Sequence, residues 1–170
     1  FLPPYDHVIL DEAHTVEDVA SEHFGLSITE AQVRFLLGNL HQPRTGKGFL
    51  PSLATRVMTN TVERAMHEVD RTASASENLF DELCEYQEQH GRKNGRLNGP
   101  IDVTDHLSGA LGRLRLALAE ARDDSEDEPD RFELHGYMQR CLEMQATLKA
   151  LREQSEPDCV YWLEVGTVGR

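Results

Sequence analysis

Apolar residues that recur every three or four positions constrain the fold of this chain more than any other feature. One such stripe covers residues 107–121, a second covers 134–151, and a third extends from 53 to 87. This spacing places the apolar side chains on one face of an α-helix. Long helices joined by short connections bury such faces against one another. The sequence therefore predicts a mainly α fold, built as an antiparallel helical bundle.

The sequence also marks where some of these helices begin and end. A short helix over 15–24 is predicted to stop at Gly25, and Thr29 is predicted to cap the next one. The loop that follows, 41–52, is rich in Pro and Gly. The 53–87 stripe fits either one long helix or two helices broken near residues 72–74. Cys84 and Cys141 fall on apolar stripes, so we expect both to lie in the core.

Before the helices, a short apolar run ends in the string Asp-Glu-Ala-His. Val8, Ile9 and Leu10 are typical of a buried β-strand, and residues 11–14 form the string itself. P-loop NTPases use adjacent carboxylates at a strand end to hold Mg²⁺ and to direct water at a γ-phosphate. In that interpretation Asp11 binds Mg²⁺, usually through water, and Glu12 acts as base or orients the water. His14 would relay between the nucleotide and nucleic-acid sites.

The phosphate-binding P-loop, Gly-x-x-x-x-Gly-Lys-Ser/Thr, is absent from this sequence. Its nearest approximation, residues 45–48, lacks both the first Gly and the hydroxyl residue, and is predicted to be a turn. Without a P-loop, nothing in the chain would hold the phosphates of ATP. We therefore expect the chain alone to be inactive as an ATP hydrolase.

Residues 2–20 resemble motif II of the DinG/XPD-type DNA helicases of superfamily two, including the Val16-Glu17 and Val19-Ala20 pairs. The segment 159–165 resembles the strand that re-enters the first motor domain of that family. The resemblance implies three parts. Residues 1–25 would be the motif II strand and following helix, 26–157 a helical arch-like insertion, and 158–170 the strand returning to the α/β motor domain.

The same resemblance implies a function for the longer protein. It would hydrolyse ATP with Mg²⁺ and translocate on single-stranded DNA, 5′→3′, with the arch forming one wall of a hole for the strand. An iron–sulfur cluster occurs in many family members. Three widely spaced cysteines cannot ligate one here, because a cluster needs four ligands.

The net charge and the charged clusters of the sequence predict how the chain interacts with nucleic acid. The net charge is −13, so we expect weak or no nucleic-acid binding by this chain alone. Arg92, Lys93 and Arg96 cluster in a Gly/Asn-rich stretch that is either a solvated loop or a phosphate contact. The acidic run 123–130 is predicted to be an exposed inter-helix loop. No apolar run is long enough for a membrane span, and the composition fits a cytoplasmic or other intracellular protein.

Two other functions remain open from the sequence. The acidic surface and apolar stripes also suit an all-helical protein-interaction module in which Asp-Glu-Ala-His is incidental. Alternatively, the chain is part of a superfamily-two helicase that acts on RNA.

Overall fold

In a computed structural model, the structure describes residues 7, 9, 11–16, 25–57, 60–154 and 158–166. Within them are five α-helices: α1 (Glu30–Leu40), α2 (Phe49–Ala54), α3 (Asn60–His90), α4 (His106–Asp124) and α5 (Glu128–Glu153). Two short strands, β1 (Arg96–Leu97) and β2 (Tyr161–Trp162), pair antiparallel. The prediction of a mainly α chain is confirmed.

Side chains cap the helices where the sequence placed polar residues. The Thr29 hydroxyl accepts from the Gln32 amide at 3.1 Å, and the Gln32 side chain accepts from the Thr29 amide at 2.9 Å. This reciprocal pair satisfies two amides that a helix start leaves without partners. Asp105 caps α4 in a simpler way, through the amide of Ser108 at 2.8 Å.

Helix α3 is continuous through residues 72–74, where the sequence also allowed a break. The buried Thr72 hydroxyl donates to the Glu68 carbonyl at 2.6 Å, so it is satisfied within the helix. The buried line of α3 is Val62, Ala65, Val69, Thr72, Ser76 and Leu79. Of the residues in the predicted stripe, Met66 and Phe80 are half-buried beside this line.

The three long helices pack antiparallel, with α4 between α3 and α5. Arg64 near the start of α3 pairs with Glu120 near the end of α4 at 2.7 Å. Gln145 in the second half of α5 donates to the Ser108 carbonyl in the first turn of α4 at 2.7 Å. Each contact joins opposite ends of two helices, as the predicted bundle requires.

Leucines of α4 fill the centre of the core. Leu107, Leu111, Leu114 and Leu118 are fully buried, as are Leu134 and Cys141 of α5. Each such Leu contributes about 1.5–3 kcal/mol through removal of apolar surface from water. The prediction of a core position is confirmed for Cys141 and wrong for Cys84, which is exposed. Its neighbour Leu83 still packs, partly buried, against the core, whereas the Cys84 side chain lies on the exposed side of α3.

Two further predictions on loops need correction. The predicted 41–52 loop contains the start of α2, whose Leu50 and Leu53 are buried. The acidic run is not an exposed loop throughout: Asp130 belongs to α5 and its side chain is only 9% exposed. Arg56 forms two hydrogen bonds to this carboxylate, Nη2 to Oδ1 at 2.7 Å and Nε to Oδ2 at 3.0 Å. The partner lies 74 residues away in sequence, so local charge patterning could not reveal it.

The strands at the two ends differ from the sequence prediction. Tyr161 and Trp162 do form a strand, but it pairs with Leu97 and Arg96 from the middle of the chain. Ile9 lies outside any strand and is 97% exposed, so a buried strand is wrong at this residue. Among the described residues, no strand pairs with Ile9, and a strand needs such a partner for its backbone groups. Val8, Leu10 and the predicted helix end near Gly25 (residues 17–24) lie outside the described residues.

Candidate functional site

The Asp-Glu-Ala-His string forms a tight exposed turn. Asp11 and Glu12 lead into a single 3₁₀ turn, Ala13–Thr15. The Glu12 amide donates to Asp11 Oδ1 at 3.0 Å, and the Glu12 carbonyl accepts from both the amide and the hydroxyl of Thr15 at 2.9 Å. Local hydrogen bonds therefore define the turn. None of residues 11–16 is buried.

Glu12 adopts a left-handed backbone conformation, with φ 53° and ψ 45°. This conformation costs a non-glycine residue about 1–2 kcal/mol, and such residues are enriched at functional sites. In this turn His14 Nδ1 lies 3.2 Å from Glu12 Oε2. The structure thus brings two of the three predicted site residues, Glu12 and His14, into side-chain contact. Both side chains are more than two-thirds exposed.

The exposed Asp11 carboxylate suits a site in which Mg²⁺ takes only one or two protein carboxylates. One of its oxygens accepts the Glu12 amide, and the side chain is exposed to solvent. Magnesium commonly keeps several waters and takes one or two carboxylates together with substrate phosphates. The described residues contain no cluster of three or more His, Cys, Asp or Glu side chains that could hold a metal ion by themselves.

The three basic candidates lie close together in the segment from the end of α3 to the first residue of β1. Arg92 and Lys93 are exposed in a turn, and Arg96 is an exposed residue of β1. Among the described residues, no carboxylate forms an ion pair with any of the three, whereas Arg56, for example, is paired with Asp130. The structure gives no contact between this group and the Asp11–His14 turn.

Two aromatic residues missed by the sequence analysis stand beside the basic group. Tyr86 and His90, one helical turn apart at the end of α3, stack with ring centroids 5.3 Å apart and planes at 27°. The spacing i, i+4 immediately before a basic segment was the available signal.

Two of the three cysteines, Cys84 and Cys141, have thiols whose pKa is raised. Burial raises the pKa of the Cys141 thiol to about 12, with a small opposing effect of Arg115. Burial, followed by the neighbouring Asp81, also raises the pKa of Cys84. A thiol becomes a nucleophile through its thiolate, so both shifts oppose reactivity near neutral pH.

Comparison of the chain with protein-family models, with curated proteins and with solved structures finds no match. Among the described helices, none combines the length and apolar character needed to cross a bilayer.

Proposed function

We propose that this chain is part of an ATP-dependent DNA helicase of the DinG/XPD type. It would contribute motif II and the helical insertion to a motor that translocates on single-stranded DNA, 5′→3′. The observation that carries the proposal is the Asp-Glu-Ala-His turn, with the Glu12 carboxylate beside His14 and clear of the helical core. The resemblance at residues 2–20 and 159–165 and the helical body between them also support it.

In this proposal each residue of the turn has a distinct role. Asp11 would hold magnesium, which neutralises charge on the phosphates of ATP when bound. Glu12 would accept a proton from the attacking water or orient it, for which its exposed carboxylate is accessible. His14, through its 3.2 Å contact, would orient Glu12 and make its position sensitive to a strand bound nearby.

In this proposal the phosphate-binding part belongs to another segment of a longer protein, since this sequence contains no P-loop. A Walker A sequence encoded upstream would support the proposal. The alternatives are a helical interaction module, for which Glu12 would be irrelevant, and a motor that acts on RNA.

The decisive experiment is the ATPase rate of the longer protein with single-stranded DNA, with RNA, and without nucleic acid. We expect DNA to stimulate turnover, and Glu12→Gln to lower kcat by at least about a hundredfold while ATP binding is retained. Glu63→Gln, an exposed carboxylate on α3, is the matched control and should leave the rate unchanged. Turnover that is absent, or indifferent to Glu12, would refute the proposal, and stimulation by RNA alone would assign the motor to RNA.

A further inference from the structure

A recess of about 210 Å³ lies where α3 ends and the chain turns into β1. Tyr86 and His90 line it from the helix, and Arg92, Arg96 and Leu97 line it from the segment that follows. The recess thus combines an aromatic pair with two guanidinium groups. It shares no residue with the Asp11–His14 turn.

The aromatic pair offers a flat surface to a ligand. Because the two rings stack on each other, each covers one face of its neighbour, and only an outer face of the pair is open to a ligand. Tyr86 is half-buried and His90 is exposed. Trp162 adds a third ring nearby, since it is the direct cross-strand partner of Arg96 and 49% exposed. Directly opposed residues of an antiparallel pair lie on the same face of the ribbon.

The charge of this region is opposite to that of the chain. Residues 89–101 contain Arg92, Lys93 and Arg96 and no Asp or Glu, although the chain carries a net charge of −13. Several other arginines are paired, as Arg64 is with Glu120 and Arg152 is with Asp105. Because the three cations have no ion-pair partner among the described residues, they are available to an anion.

Hydrogen bonds hold the backbone that carries these cations. The Gln87 side chain donates to the Arg92 carbonyl, and the Gly95 amide donates to the same carbonyl, both at 2.9 Å. The Leu163 amide donates to the Gly95 carbonyl at 2.9 Å, and the Gln154 side chain donates to the Gly99 carbonyl at 2.9 Å. A site ordered before binding loses less conformational entropy when the ligand arrives.

We propose that this recess binds a nucleotide unit, with the base stacked on an outer face of the Tyr86–His90 pair and the adjoining phosphates on Arg92 and Arg96. Aromatic rings beside unpaired cations are the combination that single-stranded nucleic acids require. An acidic peptide would use the cations but not the rings. A nucleic-acid strand and a free nucleotide both offer a base to the rings and a phosphate to the cations. The site deepens the proposed DNA function but uses other residues, so it can fail separately.

Binding to the isolated chain is weak because the remaining surface is acidic, and the test is therefore run at low ionic strength. Fluorescence anisotropy of a labelled oligothymidine of about 15 nucleotides measures the affinity. An abasic strand of the same length presents the phosphates without the bases. Competition by thymidine monophosphate and by oligouridine shows whether a strand or a free nucleotide, and which sugar, is preferred.

We expect Tyr86→Leu to weaken oligothymidine binding about tenfold and to leave abasic binding unchanged, whereas Tyr86→Phe retains affinity. Arg92→Gln and Arg96→Gln should weaken binding of both strands and reduce the salt slope by about 0.7 each. Phe132→Leu and Arg44→Gln, an exposed ring and an exposed cation elsewhere, are the matched controls. Circular dichroism verifies the fold of every variant.

Three results would overturn the site: no saturable binding, equal affinity for thymidine and abasic strands, or polyglutamate binding as tightly as the oligonucleotide. If the longer protein has no ATPase activity, or if Glu12→Gln leaves that activity unchanged, the proposed motor is refuted. These affinities would not be affected. The two failures are therefore distinguishable.

Discussion

Two groups of charged residues at opposite ends of the helical bundle differ in whether their side chains are paired. At the acidic end, where α4 meets α5, Asp130 binds Arg56, Asp124 accepts from the Thr61 hydroxyl at 2.9 Å, and Arg122 pairs with Asp123. At the aromatic–basic end, formed by residues 86–100 and 161–163, Arg92, Lys93 and Arg96 have no ion-pair partner among the described residues. The neighbouring helix ends do form such pairs, Arg152 with Asp105 and His106 with Glu82. Charge that is paired across elements stabilises a fold, whereas unpaired charge on an ordered backbone is free to bind a ligand.

The acidic end should show the largest effect on global stability. Asp130→Asn removes the charge that Arg56 binds through two hydrogen bonds, and we expect Tm to fall by roughly 3–6 °C. Asp102→Asn is the control, since its side chain is exposed and it does not act on Arg56. An equal, small shift for both variants in thermal denaturation would show that the contact with Arg56 is not structural.

At the aromatic–basic end we expect a smaller and local effect from Gly95→Ala. Gly95 has φ +71°, and a Cβ there would lie 2.4 Å from the Leu163 carbonyl oxygen. The strain, about 1–2 kcal/mol, should open the β1–β2 pair and speed hydrogen exchange at the Leu163 amide, with Tm almost unchanged. Gly99→Ala meets nothing within 4 Å and should be silent. A large fall in Tm would mean that this end supports the whole bundle.

Thiol labelling should distinguish the core from the surface without changing stability. Exposed Cys159 should react first, Cys84 more slowly because its pKa is raised, and Cys141 only after unfolding. The folded pKa of Cys141, about 12, exceeds its unfolded value near 9. Its contribution to stability is therefore complete below pH 9 and is lost as pH rises from 9 towards 12. Rapid labelling of Cys141 at pH 8 would contradict its burial.

The sequence predicted much of the bundle and less of the sites. The α4 stripe from Leu107 to Ala121 is buried as expected, because a helix with this apolar period buries its apolar face against the core. The same reasoning failed at Cys84, which is exposed although its neighbour Leu83 packs against the core. The Asp11–His14 string identifies candidate chemistry, but only the structure shows Glu12 with positive φ and in contact with His14.

By itself, the sequence determined the helical class, the cap at Thr29 and the acidic charge, because these depend on neighbours within a few residues. Only the tertiary structure decided that Arg56 meets Asp130, that Trp162 pairs with Arg96, and that Tyr86 and His90 stand beside unpaired arginines. Each of these depends on which segments, distant in sequence, share a surface. Local periodicity contains no information about such partners, so the surface that we propose to bind a nucleotide emerges only when the chain is folded.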